Sequence, residues 1–150
     1  MGEIEKRLQQ LGIELPELPN SLGNYLPTNR VGNLVYTSGQ GSRAIKGKVG
    51  GDLSIEDGYA AAREATLRCL ACLKAELGTL DRVEKIFKVL GFIASAPGFT
   101  AQPTVLNGCS DLLVEVFGER GRHARSAIGV SELPEGIAVE VEILVQVKDD

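Results

Sequence analysis

The spacing of apolar residues along the chain changes period several times, and each change marks an element. Tyr59, Ala62, Ala65, Thr66, Cys69, Leu70, Leu73 and Leu77 recur at intervals of three and four, the repeat of one helix face. Ahead of them Asp52 and Ser54 offer N-caps, with Glu56 and Asp57 placed for the first turn, and Gly78 is a natural stop. A second helical run covers residues 103–117, with Val105, Leu106, Cys109, Leu112, Leu113, Val116 and Phe117 on its apolar side and Gly118 closing it. A short amphipathic segment over residues 3–12 ends at Gly12. Between these lie runs of strand character: residues 34–38 leading into Gly39-Gln40-Gly41, residues 83–95 before the break at Pro97-Gly98, residues 123–130, and residues 137–147. In the last run Glu140 and Glu142 alternate with Val139, Val141 and Ile143, the two-residue period of a strand with one polar and one core face. Residues 15–24 and the glycine-rich 41–53 stretch read as an irregular connection and as a turn or hairpin.

The resulting order is helix, strands, helix, strand, helix, strand, strand. It predicts an α+β fold, a mixed sheet with two main helices on one face. The last two strands read as an antiparallel pair joined by a turn. One domain is expected over residues 1–150, with an N-terminal helical extension over about residues 1–24.

Composition narrows the function classes. The net charge of −4 supplies no basic footprint for nucleic acid, and no apolar run has the length of a membrane span. The N-terminus lacks the charged-then-apolar order of a secretory leader. Three cysteines without framework spacing fit a reducing cytoplasm, so a cytoplasmic protein is expected. Cys69 and Cys72 form a C-x-x-C, but both fall inside the long helical pattern and no second pair completes a metal cage. Core packing is the expectation for them and for Cys109, and no metal or cofactor is expected.

The segment richest in chemistry is 122–142. Arg125 enters an otherwise apolar strand. Its planar, permanently charged fork matches a carboxylate through two parallel hydrogen bonds, so it requires an anion: a partner side chain or an incoming ligand. His123, the only histidine, lies two residues earlier and on a strand would face the same way. A nearby cation would depress its pKa and leave a neutral imidazole; the plainer reading is a strand-end histidine bonded to a neighbouring loop. Glu140 and Glu142 form a solvated face, or one of them turns toward Arg125 or toward a subunit boundary and acts as a general base. A Ser-His-Asp relay finds no G-x-S-x-G elbow to single out a nucleophile.

Several segments together resemble the Rid/YjgF family, also called the endoribonuclease L-PSP or UK114 type. They are Tyr25 ahead of Arg30-Val31-Gly32-Asn33-Leu34-Val35-Tyr36-Thr37-Ser38-Gly39-Gln40, Leu80-Asp81-Arg82-Val83, Phe99 with Val105 and Asn107, and Ala124-Arg125-Ser126-Ala127-Ile128-Gly129-Val130 with Leu133-Pro134, followed by Val139-Glu140-Val141-Glu142. The resemblance implies a chorismate-mutase-like fold and a homotrimer with ligand sites in the clefts between subunits. It implies a deaminase activity, the hydrolysis of 2-imino or enamino acids to 2-keto acids and ammonia. Arg125 would clamp the substrate carboxylate and Glu140 would orient water. Tyr25, Ser38, Gly39, Asn107, His123 and Ala127 would line the pocket.

Two positions depart from the family's imine deaminases. Ala127 stands where they usually carry cysteine, and His123 where they usually carry proline. With the longer N-terminal, 41–53 and 118–122 segments, this points to a longer subgroup with a different pocket wall. The alternatives are a trimer that binds keto acids or other small anions without turnover, and a ribonuclease, which the acidic balance disfavours. The partners expected are a small-molecule carboxylate and copies of the same chain, not nucleic acid or membrane.

Overall fold

The computed structural model describes residues 1–18 and 23–149. The elements, in chain order, are α1 (Glu3–Gln10), β1 (Thr28–Val31), β2 (Leu34–Thr37), β3 (Gln40–Gly41), α2 (Ile55–Leu77), β4 (Val83–Ala94), α3 (Gln102–Phe117), β5 (Ala124–Val130) and β6 (Val139–Val147). The strands form one mixed sheet in the order β1-β2-β6-β4-β5, with β3 continuing along the β6 edge beyond β2. Among the strands of the described residues, only the β4–β5 pair is parallel. Their crossover is α3, the connection such a pair requires.

α2 starts at Ser54 through a reciprocal capping box: the Asp57 N–H donates to Ser54 Oγ and the Ser54 N–H donates to the Asp57 carboxylate. Asp52, the other candidate cap, instead accepts the Lys48 N–H at 3.0 Å. Gly78, at φ 82°, ends the helix. α2 and α3 lie on one face of the sheet and pack closely against each other. A side chain at Gly108 would collide with the Tyr59 carbonyl, and one at Gly58 would meet Val105. The core lies between these helices and Val89, Ile93, Val139, Val141, Ile143 and Val145 of the sheet. Ile4 and Leu8 of α1 join it.

All three cysteines are free and buried in this layer. Burial pushes the Cys109 thiol up to about 12, so it is a packing group and not a thiolate. Among the described residues no cluster of His, Cys, Asp and Glu could hold a metal ion, and no helix is long and apolar enough to cross a membrane.

Two sequence expectations need correction, and a third falls partly outside the described residues. The strand β1 was absent from the pattern reading. It pairs with β2 across Gly32, at φ 59°, and its short polar run Thr-Asn-Arg-Val carries no strong β signal. Part of the irregular 15–24 connection, residues 19–22, lies outside the described residues. The second correction bears on the site: β5 and β6 are not hairpin partners. Both pair with β4, which lies between them. Their connector, residues 131–138 with a 3₁₀ turn at Pro134–Gly136, exceeds the two to five residues typical of hairpin loops and carries the chain past the end of β4.

Candidate functional site

Arg125 sits at the second position of β5, an edge strand, level with Val89 on β4 and through it with Ile143 on β6. Those two residues are buried under the helices, so the arginine points to the helix side. There its guanidinium reaches α3. Nη1 donates to Asn107 Oδ1 and to Ser110 Oγ, both at 3.0 Å, and Nη2 donates to the Pro103 carbonyl at 3.1 Å. All three acceptors are neutral, and among the described residues no carboxylate pairs with Arg125. A guanidinium has five N–H donors. Among the described residues two remain without an acceptor, one on Nε and one on Nη2.

His123 extends this arrangement. Its Nδ1 is 2.6 Å from the Gly121 carbonyl and its Nε2 is 2.8 Å from Ser110 Oγ. Burial lowers its pKa below the usual 6.5, and the positive charges of Arg125 and Lys85 lower it further, against the opposing pull of the Gly121 carbonyl. Both earlier readings of this residue therefore meet: it is bonded to its own loop, and it faces the same space as the arginine. Both ring nitrogens have partners, so it is not an open proton shuttle. Ala127 follows Arg125 on the same face and packs partly against the core.

A second group forms at the other side of the molecule. Glu140 is level with Phe92 and pairs with Gly41. It projects to the face opposite the helices, as does Glu142. Both glutamates are half-buried, and their neighbours Val139, Val141 and Ile143 point into the core. Burial raises the Glu140 pKa above its usual value, and the charge of Glu142 adds to the effect. The carboxylate lies over Gly39, where a Cβ would come within 2.5 Å of Oε2. A side chain there would oblige the glutamate to shift. Ser38 ties the same corner together: its hydroxyl donates to the Leu26 carbonyl at 2.6 Å and its N–H to the Pro27 carbonyl at 2.8 Å. Tyr25, next along that segment, has an exposed ring.

The expected site residues thus fall into two groups. Arg125, Asn107, His123 and Ala127 share one, while Glu140, Gly39, Ser38 and Tyr25 share the other. Two strand spacings, ~10 Å, and three residues along the strands, ~10 Å, separate Arg125 from Glu140, and the two side chains leave opposite faces of the sheet. Within one chain neither glutamate turns toward Arg125. Ser110 and the Pro103 carbonyl are functional neighbours that the sequence reading passed over. Ser110 lies three residues after Asn107, so the two polar groups share a helix face, and that spacing was the available signal.

The family model described as "YjgF/chorismate mutase-like, putative endoribonuclease" matches residues 5–142. The chain belongs to this family. It is 42% identical to Protein TCP17 of Trypanosoma cruzi over 154 aligned positions, covering 99% of this chain and 96% of that one. A crystal structure from Shewanella oneidensis MR-1 superposes with a TM-score of 0.94 at 36% identity, covering 97% of this chain and 100% of that chain. The protein Atu1372 of Agrobacterium tumefaciens, of unknown function, gives 0.88 at 40% identity, covering 96% and 91%. The chorismate-mutase-like fold and the Rid/YjgF membership implied by the motifs are thereby established. The family is associated with small-molecule hydrolysis, and its members are generally homotrimers that bind small molecules.

Proposed function

We propose that this protein hydrolyses 2-imino or enamino acids to 2-keto acids and ammonia, in sites assembled from Arg125 of one subunit and Glu140 of the next. The observation that carries this reading is the state of Arg125. It is a full charge held by three neutral acceptors, with two N–H groups left over and no carboxylate partner among the described residues. A substrate carboxylate supplies the missing charge and accepts from those two donors. The placement of Glu140 on the opposite face supports a composite site, because a head-to-tail ring brings two different faces of neighbouring copies together. Tyr36 and Ile128 are exposed on the open sheet face with Glu140, apolar surface of the kind a second copy would cover.

The chemistry asks little beyond placement. A 2-imino acid is already electrophilic. Arg125 holds its carboxylate, with Asn107 and Ser110 keeping the guanidinium in place. Glu140 takes a proton from water as the oxygen attacks the imine carbon, giving a carbinolamine. The proton is returned to nitrogen; Glu140 then takes the proton of the new hydroxyl and passes it to the amine as the C–N bond breaks, so that ammonia leaves behind a keto acid. The raised pKa of Glu140 suits a group that accepts and returns a proton.

The test is Arg125→Ala, assayed on iminobutyrate generated in place by an amino-acid oxidase. Loss of at least ~100-fold in the rate of keto-acid formation is expected, with oligomeric mass and melting temperature retained. Wild-type activity in that variant would end the proposal. Binding of 2-oxobutyrate without ammonia release from any imine would favour the keto-acid-binding reading instead. Ribonuclease activity has less support: the net charge of −4 supplies no phosphate track, and the fork of Arg125 suits a single carboxylate.

A further inference from the structure

The contacts around Arg125 have a direction. The Gly121 carbonyl can only accept, so His123 Nδ1 carries the hydrogen of the 2.6 Å contact. In the neutral ring, favoured by burial and by the nearby charges of Arg125 and Lys85, Nε2 is then a lone pair. The Ser110 hydroxyl, 2.8 Å away, donates to it. That leaves the lone pairs of Ser110 Oγ for Arg125 Nη1, at 3.0 Å. Asn107 Oδ1 takes the other Nη1 hydrogen, at 3.0 Å. With Nη1 fully engaged, the guanidinium cannot turn about its long axis, and its unfilled donors stay on the Nε and Nη2 edge. Without His123 the serine hydroxyl is free to turn back onto a carbonyl of its own helix, as mid-helix serines do, and its lone pairs leave the arginine.

We infer that His123, acting through Ser110, is a positioning residue that sets the rotamer of Arg125 and so the affinity for the substrate carboxylate. The inference rests on the reading that Arg125 binds such a group. It also gives a role to a histidine that stands where the family's imine deaminases usually carry proline.

The test is calorimetric titration of the assembled protein with 2-oxobutyrate. Ser110→Ala and His123→Ala should each weaken binding about tenfold, and the double variant should be no weaker than either, because the two act as one unit. His123→Gln should bind within about threefold of wild type, since its carbonyl oxygen can take the Ser110 proton. Losses that multiply in the double variant, an unchanged affinity in either single variant, or a glutamine variant as weak as the alanine one would overturn the inference. If wild type itself fails to bind, the functional reading falls, and the relay is judged separately by ¹⁵N resonances of the ring. The chain has one histidine, so its signals are unambiguous. A neutral Nδ1–H tautomer at pH 7, with an Nε2 shift that Ser110→Ala abolishes, is expected. An Nε2–H tautomer or an imidazolium would refute the relay.

Discussion

Glu140 illustrates how stability and proposed function pull apart at a single residue. Its folded-state pKa is raised by burial and by Glu142. A raised carboxylate pKa means that the stabilising contribution is present at low pH and lost as pH rises through the folded value. At pH 7 the ionised group therefore weakens the fold. Glu140→Gln is expected to raise the melting temperature at pH 7, by a small margin because the group is half-exposed and screened, and the advantage over wild type should vanish as the pH approaches 4. The same variant should lose at least ~100-fold in imine hydrolysis. Paired thermal scans and rate assays check both parts; a variant destabilised at pH 7 would contradict the first. At this scale much was legible beforehand. Arg125 calls for polar partners whatever its surroundings, because it cannot shed its charge. That the helix would answer it with Asn107, Ser110 and a carbonyl could not be read from strand spacing, because those acceptors come from another element.

At the scale of elements, the clearest local signal is the start of α2. The Ser54–Asp57 capping box satisfies two backbone N–H groups that would otherwise lack partners at a helix end. Ser54→Ala should cost ~1 kcal/mol and lower the melting temperature by roughly 2–4 °C, measured by urea and thermal denaturation. An unchanged midpoint would show that packing of α2 dominates its ends. The pattern also predicted α3 and the long strand β4 within a residue of their observed bounds, because the period of apolar residues reports directly on which face is buried. It failed for β1, whose four residues hold one apolar side chain, exposed Val31, and so offer no alternation. It failed too for the pairing of β5 and β6, because proximity in sequence says nothing about whether a third strand lies between two others.

For the whole molecule, the open face of the sheet is decisive. The helices cover one side only, leaving Tyr36 53% and Ile128 42% exposed beside Phe92, Leu90 and Leu144, which share that face by register. Phe92→Asp places a charge at the centre of this surface. It should convert a species of three chain masses into one of 16.0 kDa by light scattering and abolish activity, since each site would lose the half supplied by its neighbour. An active monomer would show that the site does not need a second copy. From the amino-acid sequence alone came the fold class, the main helices, the inward and outward faces of β6, and the singling out of Arg125 as the candidate anion clamp. These follow from local periodicity and from the fixed chemistry of single side chains. The tertiary structure alone decided that Arg125 and Glu140 leave opposite faces of the sheet, that β4 separates their strands, and that Ser110 links His123 to the arginine. Strand order and the meeting of distant elements are set by packing across the core, which no local repeat encodes.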